Sequence, residues 1–137
     1  LILGGYTDEL GIEGIQLYDL FDQLPDETRA PFQSQGVAGT VLNYYIEMYS
    51  CEGTEVYVMR CSDGQKDTEG MNGRVAAIRL SGGTAYRTPR GLTVGDSAYR
   101  AWLLYGKCAF TSSFDYQVED GYVSTIVFHT RYWGCRF

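Results

Sequence analysis

Histidine is almost missing from this chain: its 137 residues include one, His129. A Ser-His-Asp arrangement therefore has a single candidate base. His129 falls mid-strand, between Phe128 and Thr130, so a structural role on a sheet face is the simpler reading. Serine shows no Gly-x-Ser-x-Gly elbow, at Ser97, Ser112 or elsewhere. No Cys-x-x-Cys pair occurs, which removes the usual zinc ligand set. Cations are scarce as well. Eleven Lys plus Arg face 17 Asp plus Glu, a net charge of −6. Such a chain repels phosphate backbones and anionic lipid surfaces, so nucleic acid is excluded as a general partner. No apolar run approaches the ~20 residues of a membrane-spanning helix, so the chain is not expected to be membrane-embedded. There is no initial Met and no basic segment leading into an apolar one. The expectation is a processed chain, with any signal peptide or lipid anchor removed.

What is present suits one compact unit. Hydrophobic residues make up 45% and charged residues 20%, enough for a single core over residues 1–137. Two short patterns each occur twice, in the same order. Gly14-Ile15-Gln16-Leu17-Tyr18-Asp19 is echoed by Gly91-Leu92-Thr93-Val94-Gly95-Asp96. Gly73-Arg74-Val75-Ala76-Ala77-Ile78 is echoed by Gly121-Tyr122-Val123-Ser124-Thr125-Ile126. The offsets are 77 (91 − 14) and 48 (121 − 73). The pattern predicts a tandem duplication with halves at about residues 14–83 and 84–137.

Turn and cap chemistry outlines the elements. Asp19 is expected to cap a helix over residues 20–24 that Pro25 interrupts. Asp96 or Ser97 caps a second helix over residues 98–105, with Ala101, Leu104 and Tyr105 on its apolar side and Gly106 at its end. Residues 41–50 alternate as a strand, with Leu42, Tyr44, Ile46 and Met48 on one face and Asn43, Tyr45, Glu47 and Tyr49 on the other. Glu52-Gly53 turns the chain, and residues 55–61 return. Opposing Cys51 to Thr54 puts Tyr57 and Met59 on the Leu42 face and Val56, Val58 and Arg60 on the Tyr45 face. Residues 62–72 read as a polar loop and 74–81 as a strand. Asp120-Gly121 signals a hairpin, with Phe114, Tyr116, Ile126 and Phe128 on its core side. The repeat alignment sets Ile78 on Ile126 and Leu80 on Phe128. Residues 26–39 give no clear periodicity.

The four cysteines, Cys51, Cys61, Cys108 and Cys135, fall two to each half. An even count in a short chain predicts two disulfides and an oxidising compartment; free buried thiols are the alternative. The pairs expected are Cys51 with Cys61 and Cys108 with Cys135. The first conflicts with the Glu52-Gly53 hairpin, which sets Cys61 opposite Tyr44, and would need a bulge at Cys51.

Carboxylates at Asp8, Glu9, Asp19, Asp22, Asp26 and Glu27 suit helix starts better than a glycosidase pair. Asp63, Asp67 and Glu69 share a loop without the calcium-loop spacing. No metal and no cofactor are expected. Aromatics are the real excess, at 15% with 12 Tyr. A sheet face carrying Tyr45, Glu47, Tyr49, Arg60, Arg79, His129, Arg131 and Trp133 is the candidate partner-binding surface, because Tyr, Trp and Arg bury large areas behind a polar tip. A solvated sheet face, or one covered by another copy of the chain, is the competing reading.

One stretch carries a resemblance. Tyr86-Arg87-Thr88-Pro89-Arg90-Gly91-Leu92-Thr93-Val94-Gly95-Asp96-Ser97, followed by Tyr105-Gly106, resembles the tandem helix-and-sheet repeat of beta-lactamase inhibitory protein and its relatives. It is also similar to a group of uncharacterised secreted or lipid-anchored proteins of Gram-positive bacteria. That group has a Thr/Ser-x-x-Gly-aliphatic-x-Val-Gly-Asp segment, a helix, Tyr-Gly, and strands ending in Gly-x-Val-x-x-Ile. The match runs over residues 86–128. The resemblance implies an α+β fold in which both repeats share one antiparallel sheet with helices packed on one face. No inhibitory contact residue carries over. The expected function is a secreted or cell-surface, non-enzymatic, protein-binding domain, inhibitor-like in mode. A self-associating structural domain of the envelope is the alternative, and a glycan-acting enzyme using the acidic cluster comes third.

Overall fold

The computed structural model describes residues 10–106 and 113–133. Strands dominate it. A small hairpin opens the described chain, with β1 (Gly11–Ile12) paired to β2 (Ile15–Gln16). A 3-10 turn at Phe21–Gln23 and a single-turn helix α1 (Asp26–Arg29) follow. Next come β3 (Gln33–Val41), β4 (Tyr44–Cys51), β5 (Thr54–Cys61), β6 (Val75–Leu80), helix α2 (Ala98–Tyr105), β7 (Phe114–Glu119) and β8 (Tyr122–His129). The last six strands form one antiparallel sheet in the order β3-β4-β5-β6-β8-β7. The architecture is α+β, mostly sheet.

Local chemistry explains the well-formed elements. Cys51 pairs with Thr54 across Glu52-Gly53, and Gly53 holds φ 66. A Cβ there would lie 2.3 Å from the Thr84 amide nitrogen, so only glycine fits. Asp120 and Gly121 both have positive φ, 54 and 85, as the tight hairpin turn between β7 and β8 requires. Ser97 is the cap of α2: its hydroxyl accepts the Arg100 amide. Gly106 ends the helix at φ 59.

Two expected elements change. Asp19 does not cap a helix forward. Its carboxylate accepts the Gln16 amide behind it, Leu20 bridges to Arg74, and one 3-10 turn follows. The strand expected over residues 41–50 starts only at Tyr44. Leu42 and Asn43 form the turn between β3 and β4; Leu42 sits at φ 54 and is 68% exposed, so it does not share the Tyr44 face. β3 left no periodic signal because it is nearly all exposed and its pairing with β4 breaks register twice around Gly36 and Gly39.

Register fixes the faces. Tyr49, Val56, Ile78, Phe128 and Phe114 stand side by side across β4, β5, β6, β8 and β7. The buried side chains of this near face belong to one cluster with Ile12, Ile15, Phe21, Leu92, Ala101 and Tyr105. Tyr105 stacks on Phe114 at 4.7 Å, and Phe114 meets Phe128 at 5.2 Å. The far face holds a second cluster of Tyr44, Ile46, Tyr57, Met59, Met71, Ala77 and Trp133. Tyr44 and Tyr57 are buried, but on the His129 side, so the expectation that set Tyr45, Tyr49 and Arg60 on one face with His129 is corrected. Val56, not Tyr57, pairs with Ile78, so the β4–β5 hairpin presents the opposite parity to the one expected.

The two Gly-to-Asp segments make matching bonds. Tyr18 and Gly95 donate to the carbonyls of Val75 and Val123, and the amides of Val75 and Val123 return to Asp19 and Asp96. Asp19 and Asp96 accept the amides of Gln16 and Thr93. Leu20 bridges Arg74 as Ser97 bridges Tyr122. β5–β6 and β8–β7 share one irregularity, at Tyr57/Val58 and at Gln117/Val118.

The far-face layer carries a stability prediction. Trp133 is 5% exposed and Ile126 is 0%, so Trp133→Ala is expected to cost about 3–5 kcal/mol and Ile126→Ala about 2–5. Leu42→Ala, out in its turn, stays within about 0.5 kcal/mol. Denaturant unfolding of the three variants checks this. A near-neutral Trp133→Ala would remove the second layer from the core.

Candidate functional site

The eight residues expected to form one surface lie on both sides of the sheet. Tyr45, Glu47, Tyr49 and Arg60 are on the near face, in register with Arg60, Val58, Val56 and Tyr45 respectively. Three of them form an internal clamp. Arg60 Nε donates to Glu47 at 2.9 Å, and its other nitrogens donate to Asp22 at 2.7 and 3.1 Å and to the Tyr49 hydroxyl at 2.5 Å. Tyr49 donates to Glu47 at 2.8 Å, Ser34 closes the other Glu47 oxygen at 2.6 Å, and Phe21 stacks on Tyr49 at 4.4 Å. The bond from Arg60 holds the Asp22 carboxyl below its ordinary range against the burial that would raise it. The clamp ties the 3-10 turn to the sheet.

Arg79 and His129 are on the far face. Arg79 stands between Glu55 and Val127, 3.8 Å from the Glu55 carboxylate. His129 opposes Ala77, and its backbone amide donates to Ser113. Trp133 is buried, its ring 4.5 Å from Tyr57. Arg131 is exposed and donates to the Tyr132 hydroxyl at 2.8 Å. The single open face is thus corrected: the pairing of Val56 with Ile78 puts the β4–β5 half of the set on the α2 side.

The Cys51–Cys61 bridge is corrected too. Cys51 pairs with Thr54 at the turn end of the hairpin and Cys61 with Tyr44 at its far end, and both are free thiols. Cys108 and Cys135 lie outside the described residues. Burial pushes both described thiols above their ordinary range, which keeps them protonated and weakly nucleophilic at neutral pH.

Asp67 turns inward rather than toward an ion. Its carboxylate accepts the Tyr44 hydroxyl at 2.5 Å and the amides of Met71 and Asn72 at 2.9 and 3.2 Å, while Tyr44 accepts the Glu69 amide at 2.8 Å. The polar loop is thereby pinned over the far face, where Met71 is buried. Among the described residues, no group of three or more His, Cys, Asp or Glu could hold a metal.

A cleft of about 840 Å³ lies between the β1–β2 hairpin and residues 85–91, lined by Ile12, Glu13, Gln16, Glu27, Tyr86 and Arg87 among others. Its chemistry is largely committed. Arg87 bonds the Gly91 carbonyl at 2.9 Å and lies 3.9 Å from Asp96. Thr88 is taken by the Tyr105 hydroxyl and the Leu92 amide.

A different surface is uncommitted. Tyr99, Trp102 and Leu103, at helical spacing on α2, are 69%, 56% and 56% exposed. On the adjoining β7–β8 hairpin, Val118 is 42% exposed on the near face, while Tyr122, 58% exposed, opposes Glu119 on the far face. The two groups adjoin where the Ala98 amide donates to the Gly121 carbonyl and Ser97 bridges Tyr122. Sequence reasoning read α2 for its buried stripe and passed over the outside. The signal was there: once Ala101 and Tyr105 point inward, Tyr99, Trp102 and Leu103 of an eight-residue helix must point out.

No protein-family model, curated protein or solved structure matches the chain. Among the described residues, no helix is long and apolar enough to cross a membrane.

The pinned loop makes acid sensitivity predictable. The Tyr44 hydroxyl holds the Asp67 carboxyl below its ordinary range. A carboxylate depressed in the fold stabilises fully above its unfolded pKa, about 4, and loses that contribution as pH falls through the folded value. Asp22 adds the same sign. Melting temperature should hold from pH 7 to 5 and fall below pH 4. Asp67→Asn should cost about 1 kcal/mol at neutral pH and flatten the acid fall. A calorimetric pH series checks this, and an unchanged acid slope in the variant contradicts it.

Proposed function

We propose that this chain is a non-enzymatic protein-binding domain of a secreted or cell-surface bacterial protein, free or lipid-anchored. Its binding surface is the outer side of α2 with the β7–β8 hairpin. One observation carries the reading: Tyr99, Trp102 and Leu103 of α2 and Val118 of the adjoining hairpin are all exposed. Isolated apolar residues on a surface need no explanation, but an adjoining set of large ones marks a contact site. Tyr and Trp anchor such sites, since each buries a broad ring at little entropic cost. Inhibitor-like action on an enzyme falls within this reading.

The architecture we propose is a tandem repeat, with halves at about residues 14–83 and 84–137 sharing one sheet and helices on its near face. The matched bonds of Asp19 with Asp96 and of Val75 with Val123 support it. So does the pairing of β6 with β8. Ile78 opposes Phe128 and Leu80 opposes Ile126, so aligning Ile78 with Ile126 and Leu80 with Phe128 exchanges one pair for the other.

Self-association of an envelope domain is the second reading, favoured by the apolar character of the same patch. The net charge of −6 opposes it at low salt.

Trp102→Ala with Leu103→Ser should leave folding stability within about 0.5 kcal/mol. Affinity for a partner captured from native extract should fall at least roughly tenfold. Arg131→Ala, on the other side of the sheet, should leave affinity unchanged. Partner binding indifferent to the α2 variant defeats the surface assignment. A wild-type dimer that the same variant dissociates, seen by light scattering, selects the second reading.

A further inference from the structure

The two edges of the sheet are not alike. β3 carries Gly36 and Gly39 and breaks register twice against β4, irregularities that discourage further pairing. β7 runs in regular register with β8 from Phe114 to Gln117, and the bulge that follows lies in β8, at Ser124. As the last strand in the sheet order, it has no strand on its outer side among the described residues.

β5 is the strand to compare with β7. Thr54 and Val56 oppose Leu80 and Ile78 in β6, while Phe114 and Tyr116 oppose Phe128 and Ile126 in β8. Both strands then break register at the next residue but one, at Tyr57/Val58 and at Gln117/Val118. Aligning Ile78 with Ile126 sets Thr54 on Phe114, Val56 on Tyr116 and Val58 on Val118. The outer side of β5 is filled along its whole length by β4, from Cys51 opposite Thr54 to Tyr44 opposite Cys61. The corresponding side of β7 is the place where the first half carries two more strands.

Backbone direction agrees. The His129 amide donates to the Ser113 carbonyl. Bonding alternates along an antiparallel ladder, so Asp115 and Gln117 exchange bonds with β8, and the amides of Phe114 and Tyr116 point outward. The Tyr116 amide confirms that direction: its acceptor is the carboxylate of its own neighbour Asp115, at 2.7 Å. Asp115 thus holds a position that a strand carbonyl would take.

We infer that the outer edge of β7 accepts an added strand from a partner, an extended segment whose residues alternate basic and apolar. The inference rests on the protein-binding reading above and names the chemistry of the partner. Asp115, Gln117 and Glu119 share the far side of β7 and are exposed, so they face every second side chain of an incoming strand. Carboxylates at Asp115 and Glu119 match lysine or arginine there. On the near side, exposed Val118 offers apolar contact. Main-chain bonds supply the affinity in this mode, and alternate side chains supply the selectivity. A second copy of the chain would set Asp115 and Glu119 against their own kind, which like-charge repulsion opposes.

The probe is a blocked peptide of alternating lysine and valine, as long as β7, added to the full chain. Amide hydrogen exchange over β7 is the readout. The outward amides should exchange quickly in the peptide-free monomer and slow at least roughly tenfold with the peptide. An alternating glutamate and valine peptide should do nothing. The exposed pair Asp115→Lys with Glu119→Lys should reverse the preference between the two peptides. Trp102→Ala should leave peptide binding intact, so a failure of the α2 surface and a failure of the edge register separately. Protection of the outward amides in the peptide-free monomer overturns the inference, because the chain then covers its own edge. So does protection that appears only in a dimer, or equal response to both peptides.

Discussion

The pairing of β6 with β8 is the interaction on which the rest depends. It joins the two parts of the sheet, since β3, β4 and β5 lie to one side of it and β7 to the other. Ile78, Leu80, Ile126 and Phe128 are all fully buried on one face of this ladder, each worth about 1.5–3 kcal/mol relative to exposure. On the other face, Ala76 and Ala77 are buried beneath Trp133 and Met71. Thr130 extends the ladder, sending both its amide and its hydroxyl to the Ala76 carbonyl. Ile12, Ile15, Ala101 and Tyr105 belong to the same buried cluster as Ile78, Leu80, Ile126 and Phe128.

Much of the fold was legible because it is local. Glu52-Gly53 and Asp120-Gly121 announce their hairpins, and the Cys51–Thr54 register follows from the two-residue turn. Ser97 and Gly106 bound α2 by cap chemistry alone. Within each hairpin the alternation of faces also reads correctly: Tyr57 and Met59 do lie with Tyr44 and Ile46, and Val56 and Val58 with Tyr49.

What the alternation does not carry is the relation between hairpins. A one-residue change of register flips every side chain, and the choice is visible only when one face is polar. Here both faces are buried, so Tyr44 with Tyr57 and Val56 with Ile78 look equally core-like. The polar loop between β5 and β6 and the bulge at Ala76 erase the phase between the strands. The candidate site failed for the same reason. Tyr, Arg and Trp serve interiors as well as interfaces, and Arg60 with Tyr49 and Trp133 with Tyr57 are interior uses. The exposed aromatics of α2 were recoverable by subtraction, once its inward stripe was assigned.

The six-stranded sheet is one cooperative unit joined at that central ladder. Thr130 donating to Ala76 fixes the alternation, so the amides of Ile78, Leu80, Ile126 and Phe128 bond across it. Native-state hydrogen exchange of these four amides, followed through a denaturant series, is the most direct test. They should be the slowest in the chain and share one opening free energy equal to that of global unfolding. If Ile78 and Leu80 open independently of Ile126 and Phe128, the two sides of the sheet are separate units and the central ladder does not hold the fold together.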